Sequence, residues 1–420
     1  MIQKIAVALA VCVAMVASEQ TQEPFSLHLD RDLSPHAGSP SLLSIHDGVR
    51  RGEERLWKTD FRSDRLMRAL KMGTVYLPVS YFATVVQHEV FGHGYRIRSF
   101  GKDIAHVERY AFGAPPPFGY GGGGTSYGVT EKFSPAHFQT CAIGGVEATA
   151  IMAHDVRMKW LTSNTVQAKD NLLQLFSHHD LSNYAFSLFF IKDKEEPGGH
   201  DLLSYTQMLK RTYPKTKIRG AHLAALSFIN YANPFDVIGW SSMHNYVVSG
   251  NHSTNLPMLK LGKVHALPAF RFALAPHGPE IFLENFMRIK EKPIYTYIKG
   301  GFLGGHHYYG LGLEHPHFIK FGNHAFGLNG HFWHHPQLLT MRGNLTGDEL
   351  HSEHLTPLDY PEETLQKMQL GASLCATYAY QLGSTPYGMK LEIGHKLAGF
   401  LPGETMEAAP ILRGSLSVKY

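Results

Sequence analysis

Residues 81–95, YFATVVQHEVFGHGY, contain the feature on which the interpretation of the chain depends. Within them His88, Glu89 and His93 form the motif H-E-x-x-x-H. Two imidazoles on one side of a helix can hold a metal ion, and a carboxylate beside them can take a proton from water at that ion. On an ideal α-helix a five-residue step places the two histidines about 140° apart. The motif therefore predicts a wide, π-helical turn, which Gly92 makes less costly.

The spelling of the motif adds a family resemblance. The hexapeptide H-E-V-F-G-H closely resembles the H-E-L-L-G-H of the dipeptidyl peptidase III family, whose members are zinc aminopeptidases with the same lengthened motif. The resemblance implies zinc ligation by His88 and His93, catalysis by Glu89, and a glutamate ligand a little over fifty residues downstream. Glu147 lies 54 positions after His93, in GGVEATA, which lacks the paired acidic and following basic residues of the family's second motif. We therefore predict a zinc site of His88, His93 and Glu147, on a resemblance of six residues and one distance.

The surroundings of Glu147 predict a helix over residues 134–161. Ser134 is a suitable N-cap and Pro135 suits the first helical position. His154 lies seven residues after Glu147 and hence on the same helix face, two turns along. We predict His154 as a group that orients a ligand or stabilises an oxyanion; the alternative is an ordinary packing or surface histidine.

Composition and the N-terminus indicate export rather than nucleic-acid binding. The chain of 420 residues has a formal net charge of only +4, and its basic residues are scattered. Residues 1–18 combine Lys4, an apolar run and small residues, which is typical of a secretory signal peptide. Residues 19–64 are rich in Ser, Pro, Asp and Arg, and we expect an extended arm there.

The rest of the chain divides by pattern into an α+β arrangement. Residues 65–255 predict a helical, metal-binding domain, in which the glycine- and proline-rich stretch 112–128 is expected to be a loop. Residues 263–420 contain about eight segments of alternating apolar and polar residues with short turns, and they end in Tyr420. This pattern resembles a small bacterial outer-membrane β-barrel of about eight strands. The alternative is a soluble antiparallel sheet with one face packed on the helices.

Two further residue sets leave alternatives open. Eight histidines crowd residues 306–335, where they favour either a second metal site or the polar interior of a barrel. Cys141 and Cys375 are the two cysteines left after the signal peptide, and we expect separate thiols rather than a disulfide.

The sequence therefore predicts an exported zinc-dependent hydrolase, a metallopeptidase acting on a peptide or protein, in the outer membrane or periplasm of a Gram-negative-type bacterium. The alternative is a non-enzymatic outer-membrane barrel whose helical part is a periplasmic or plug domain.

Overall fold

The computed structural model describes residues 24–57, 64–190, 199–337 and 367–419. The fold is α+β: most helices precede residue 250, and a large antiparallel sheet follows. The predicted signal peptide lies outside the described residues.

The helices form the first part of the chain. They are α1 (Pro35–Leu56), α2 (Arg65–Lys71), α3 (Leu77–His88), α4 (Gly94–Phe100), α5 (Pro135–Ser163), α6 (Asn171–Ser187), α7 (Asp201–Thr212), α8 (Gly220–Ser227) and α9 (Pro234–Ser249). The π-helical turns Met72–Tyr76 and Glu89–His93 join α2, α3 and α4 into one helical run, Arg65–Phe100. This run of 36 residues is long and apolar enough to cross a membrane by length and composition, a criterion that core helices of soluble proteins also meet. The 3₁₀ turns Ala168–Asp170 and Phe228–Ala232 precede α6 and α9.

The strands form one large sheet and two small ones. They are β1 (Phe25–Leu29), β2 (Ala105–Phe112), β3 (Gly123–Val129), β4 (Thr165–Gln167), β5 (Ser253–Asn255), β6 (Leu259–Leu261), β7 (Val264–Ala275), β8 (Gly278–Ile289), β9 (Lys292–Leu303), β10 (His306–Phe321), β11 (His324–Pro336), β12 (Met368–Gln381), β13 (Tyr387–Lys396) and β14 (Ala409–Val418). The large sheet has ten strands in the order β1-β14-β13-β12-β11-β10-β9-β8-β7-β6. β2 pairs with β3, and β4 pairs with β5.

The expected count of about eight strands after residue 263 is confirmed by β7–β14. The closed barrel is not confirmed, because strand pairing among the described residues leaves an open sheet with β1 and β6 at its edges. β1 comes from the N-terminal segment and pairs with the last strand, β14. The chain start thus extends the C-terminal sheet, which the division into successive domains did not anticipate.

The expected extended arm of residues 19–64 is wrong, because this segment contains β1 and the 22-residue helix α1. The helix has no obvious apolar stripe, since many of its buried residues are small or polar. Ser41 and Ser44 face β1, where their hydroxyl oxygens accept hydrogen bonds from the backbone N–H groups of His28 (2.9 Å) and Ser26 (3.1 Å). A buried helix face made of small and polar residues gives little apolar signal in the sequence.

The expected loop of residues 112–128 is also wrong in part. Residues 105–129 form the β2–β3 hairpin, and its tip spans residues 113–122. Gly123 belongs to β3, and a Cβ added there would lie 2.7 Å from Cγ of Glu89. Glycine weakens a strand as a pattern but permits this close approach.

Across β12, β13 and β14 the large sheet is apolar outside and polar inside. On β12, β13 and β14 the neighbouring outer residues are Ala376, Ile393 and Leu412, and the next inner row is Thr377, Glu392 and Arg413. Leu412 is 64% exposed, whereas Arg413 is buried and bonds to Glu392 at 3.0 Å. Exposed apolar side chains recur on β8, β9 and β10, namely Ile281, Ile298, Tyr309 and Leu311. The inner face of β8 and β9 combines the buried aromatic residues Phe282, Phe286, Tyr295 and Tyr297 with the charged residues Glu280, Glu284 and Lys299.

Helix α5 connects the sheet to the helical part. It packs against β7, β8 and β9 on one side and against α1, α3, α6 and α7 on the others. Its predicted N-terminus is confirmed, because Ser134 and His137 form a reciprocal capping box at Pro135. The same helix therefore contacts both the inner face of the sheet and the helix that carries His88.

Candidate metal centre

Three side chains converge at the junction of α3, α4 and α7. His88 Nε2 lies 3.1 Å from His93 Nε2, and Asp201 Oδ2 lies 3.4 Å and 3.1 Å from these two atoms. His88 and His93 are buried, and the Asp201 side chain is 22% exposed. The three residues form a group that could hold a metal ion.

The opposite nitrogen of each imidazole has a fixed partner. His88 Nδ1 lies 2.7 Å from Asp180 Oδ2, and His93 Nδ1 lies 2.8 Å from the carbonyl oxygen of Cys141. Both partners only accept hydrogen bonds, so each Nδ1 donates. In its neutral form each ring therefore presents a lone pair at Nε2, toward the other ring and toward the carboxylate of Asp201. Three electron-rich atoms facing one another require a cation, and this arrangement is the usual one for metal-ligating histidines.

The protonation of the group without a metal leads to the same conclusion. Burial lowers the pKa of His88, but the opposite effect of Asp180 and Asp201 is larger, and the pKa is raised to about 10. Burial likewise opposes the charge of His93, and Asp201 raises the pKa of that imidazole well above its ordinary value. Burial raises the pKa of Asp201, and the two imidazoles more than reverse this and lower it. The chain itself thus stabilises positive charge at this point.

The π-helical turn explains how the long motif closes. Residues Glu89–His93 form this turn, and its i→i+5 bonding places His88 and His93 on one side, which confirms the prediction. Gly92 and Gly145 allow α5 to approach: a Cβ on Gly92 would lie 2.6 Å from the carbonyl oxygen of Gly144, and one on Gly145 would lie 2.2 Å from His88 Nε2. The π-helical turn and α5 are therefore in close contact.

Glu147 is not part of this group, contrary to our prediction. Its carboxylate accepts a hydrogen bond from Arg96 Nε at 3.0 Å and further bonds from Arg96 and the backbone N–H of Gly403. The reason is angular, because Gly145 faces His88 and a residue two positions later points about 200° away on an α-helix. A distance of 54 residues along the chain carries no information about helix face.

His154 also lies elsewhere. Its Nε2 is 3.0 Å from Oε2 of Glu314 on β10, and its ring packs against Tyr295 of β9 at 4.4 Å between ring centroids. His154 and Glu147 do share a face of α5, as predicted, but that face borders a cavity of about 450 Å³ at the inner side of the sheet. His154 therefore neither orients a ligand of the metal group nor stabilises an oxyanion there.

Glu89 is held at the metal group by the β2–β3 hairpin. The hydroxyl of Thr125 donates to Glu89 Oε2 at 2.7 Å and lies 3.1 Å from the Glu89 carbonyl oxygen. The carboxylate directly follows His88, is nearly buried, and its charge acts on His93. The hairpin thus fixes the carboxylate that the motif predicts as a proton acceptor.

Tyr184 lies on the other side of the group. Its ring stacks on His88, with centroids 5.4 Å apart and planes 16° apart. Burial, reinforced by the charges of Asp201 and Asp180, raises the pKa of the Tyr184 hydroxyl, which therefore stays a neutral hydrogen-bond donor.

The sequence did not single out Asp201, Asp180, Thr125 or Tyr184. Asp201 opens α7, and an aspartate there resembles a residue that favours the helix N-terminus. Asp180 and Tyr184 lie one helical turn apart on α6, within the region that the sequence predicts to be helical. An acidic and an aromatic residue at that spacing indicate that one helix face could contact a functional group, but the spacing does not show that this group is His88.

Two other described groups also bring three possible ligands together. His178, His179 and Asp236 form one, and His46, Asp47 and Asp170 form the other. Each is already satisfied in part, since His178 Nε2 bonds to the carbonyl oxygen of Asn230 at 3.0 Å and Lys159 lies between the two aspartates of the second group. None of the three groups found among the described residues includes a histidine of the 306–335 segment. Cys141 and Cys375 are both buried free thiols, as expected.

No family model, curated protein or solved structure matches the chain. The function is therefore inferred from the geometry of the site.

Proposed function

We propose that the protein is an exported zinc-dependent hydrolase, a metallopeptidase whose metal ligands are His88, His93 and Asp201. The observation that carries this proposal is the convergence of the three ligating atoms within 3.4 Å of one another. Two imidazoles and one carboxylate suit zinc, and three protein ligands leave a position open for water.

The residues around the ligands supply the remaining functions. A bound zinc ion polarises a carbonyl group and lowers the pKa of water. Glu89, fixed by Thr125, accepts a proton from that water and later passes it to the leaving amine. The neutral hydroxyl of Tyr184, beside His88, donates a hydrogen bond to the carbonyl oxygen as charge develops on it. The choice of a peptide substrate rests on the H-E-x-x-x-H motif.

The metal content of the purified protein tests the ligand set. We expect about one zinc per chain in the wild type, little in Asp201→Ala, and retention in Glu147→Gln, because Glu147 is an ion-pair partner of Arg96. Retained zinc in Asp201→Ala with loss in Glu147→Gln would restore the ligand set predicted from the sequence. A wild-type protein that binds no zinc after reconstitution would exclude the proposed zinc-dependent hydrolase activity.

The polarity of the large sheet supports a second function, insertion into an outer membrane. A soluble sheet packed on helices buries its apolar face and exposes the polar one. Here Leu374 and Leu412 are 61% and 64% exposed, while Glu280 and Lys299 are buried and paired at 2.9 Å on the inner side. Outward apolar and inward polar residues are the signature of a membrane β-barrel. We propose that β7–β14 form the membrane-facing wall of a barrel and that the hydrolase site is anchored by it.

A non-enzymatic membrane protein with a helical plug remains the competing function, and metal content separates the two. Insertion has its own test, which is extraction from bacterial membranes. We expect the protein to require detergent and to migrate differently on gels before and after heating. Release by salt or alkali would contradict insertion and leave the metal site unaffected.

A further inference from the structure

A cluster of exposed aromatic side chains lies on the helical part. It comprises Phe186 of α6, Phe189 and Phe190 directly after that helix, and Phe228 and Tyr231 of the 3₁₀ turn; we call it the aromatic patch. Neighbouring ring centroids are 5.5 to 6.5 Å apart. The five side chains are between 43% and 76% exposed. A contiguous apolar surface of this kind marks an interaction site.

The aromatic patch adjoins the β7 edge of the large sheet. Asn230, between Phe228 and Tyr231, accepts a hydrogen bond from the backbone N–H of Phe272 at 2.7 Å and donates to its carbonyl oxygen at 3.3 Å. Asn233 donates to the carbonyl oxygen of Phe270 at 3.0 Å. These two asparagines continue the edge protection that β6 provides at Val264–Ala266.

The opposite edge is protected in the same manner. The backbone N–H groups of Ser26 and His28 on β1 donate to the hydroxyl oxygens of Ser44 and Ser41 on α1. Helix α1 in turn packs on α5, which contacts β7. Side chains from helices thus satisfy the backbone groups that strand pairing leaves open. An exposed sheet edge is excluded from hydrocarbon, so such protection is needed in a membrane.

Exposed apolar side chains lie on both sides of this seam. Phe270, whose carbonyl is bonded to Asn233, points outward and is 49% exposed. On the helical side Val237 and Trp240 of α9 are 70% and 52% exposed. Exposed apolar side chains therefore occur on β7, on the 3₁₀ turn, on α9 and on α6.

We propose that the aromatic patch contacts the phospholipid bilayer, so that the membrane-facing surface consists of the sheet and of the helices beside β7. This rests on the proposed insertion of the sheet. Lipid is the occupant that the chemistry fits, because the four Phe side chains of the patch are apolar throughout, because Tyr231 is of a type enriched at the membrane–water boundary, and because the patch lies beside the β7 edge of the sheet.

Site-directed fluorescence in vesicles tests the proposal on the full mature chain. Single cysteines are introduced as Phe186→Cys and Phe228→Cys in the patch, Leu374→Cys and Leu412→Cys on the sheet, and Asp103→Cys at an exposed charged position. Each is labelled with an environment-sensitive dye, and the wild type, with its two buried thiols, measures background labelling. Quenching by phosphatidylcholine brominated on the acyl chains is compared with quenching by iodide in the buffer. The two patch positions are measured separately, so either can decide if the other variant fails to fold.

We expect brominated lipid to quench both patch labels to a degree comparable with the sheet labels, and iodide to quench the label at position 103. Sheet labels quenched by lipid together with patch labels quenched by iodide would overturn the inference while leaving the insertion of the sheet intact. Patch labels shielded from both quenchers would also overturn it, in favour of a protein occupant. Sheet labels accessible only to iodide would refute the insertion itself and the inference with it.

Discussion

Two clusters of histidine and aspartate differ in whether the chain supplies its own cation. The His93 cluster consists of His88, His93 and Asp201, and the partners of Asp201 in the described part of the chain are the two imidazoles. The Lys159 cluster consists of His46, Asp47 and Asp170 around Lys159, whose Nζ lies 2.8 Å from Asp47 and 2.9 Å from Asp170. Both clusters satisfy the same distance criterion for a metal site.

The histidines of the two clusters respond differently. Burial lowers the pKa of His46 despite Asp170 beside it, and Lys159 acts in the same direction as burial. In the His93 cluster the carboxylates overcome burial and raise the pKa of His88 to about 10. A lysine thus completes one cluster, whereas the other is completed only by protons or by a metal ion. Proximity of ligands does not identify a metal site unless the charge among them is also counted.

The largest expected effect is a loss of turnover when the carboxylate beside the His93 cluster is removed. Glu89→Gln should lower kcat by a factor of about 10²–10⁴ while zinc stays bound, because the amide cannot accept the proton. Glu53→Gln is the matched control. Glu53 is also a buried carboxylate, it is bonded to Lys169 at 2.7 Å, and it belongs to neither cluster. This substitution should lower stability and leave kcat unchanged. Unchanged kcat in Glu89→Gln would remove the proposed mechanism.

The next effect concerns stability and the cation of the Lys159 cluster. Lys159→Met should lower the free energy of unfolding by about 3–5 kcal/mol, because it leaves the fully buried carboxylate of Asp170 without its lysine partner, whereas Asp47 keeps Arg50 at 3.2 Å. Added zinc should restore part of this loss, since the cluster then resembles the His93 cluster. Lys132→Met is the control: it removes an exposed pair with Asp103 and should change stability by less than about 1 kcal/mol. Equal melting curves for both variants would contradict the comparison.

The sequence was sufficient where a local pattern determines the structure. It located His88, Glu89 and His93, the wide turn they require, and the N-terminus of α5 at Ser134. These features depend on neighbouring residues only. The α+β class and the eight strands after residue 263 followed from periodicity in the same way.

The sequence was insufficient where two distant segments meet. Asp201 reaches the two histidines from a helix more than a hundred residues away, and Glu147 is taken by Arg96, which no spacing rule anticipates. Periodicity also could not tell which face of the sheet is buried, because both faces give the same alternation. In the structure the paired charges of Glu392 and Arg413 lie on the buried side of the sheet.

A smaller effect on turnover is expected from Tyr184, the tyrosine beside the His93 cluster. Tyr184→Phe should lower kcat by about 10- to 150-fold, the equivalent of one charge-assisted hydrogen bond of about 1.5–3 kcal/mol, with zinc content and KM unchanged. Tyr76 is the counterpart, with its ring 6.0 Å from that of His46 and its hydroxyl bonded to Glu53. Tyr76→Phe should affect stability alone. Equal kcat values for the two variants would exclude Tyr184 from the reaction.

The smallest effect concerns the hydrogen bond behind each first histidine. Asp180→Asn keeps the shape of the side chain but weakens the acceptor of His88 Nδ1, now 2.7 Å away. We expect the zinc dissociation constant, measured by competition with a chelator, to rise about 10- to 100-fold, because the carboxylate fixes the ring and makes Nε2 more basic. In the Lys159 cluster the equivalent partner of His46 is Ser80, at 3.2 Å from its Nε2, and Ser80→Ala should leave zinc binding unchanged.

The pair of variants decides between two explanations of the His88–Asp180 contact. If Asp180 serves only to neutralise a buried imidazolium, Asp180→Asn should lower the stability of the zinc-free protein and leave the zinc dissociation constant unchanged. If Asp180 orients a ligand, the dissociation constant should rise even where the zinc-free protein melts as the wild type does. The second result is expected, because Thr149 also donates to Asp180 Oδ2, at 2.9 Å, and fixes the carboxylate from the α5 side. A carboxylate held by two donors has a defined direction. Positioning a metal ligand requires such a direction, whereas neutralising a charge does not.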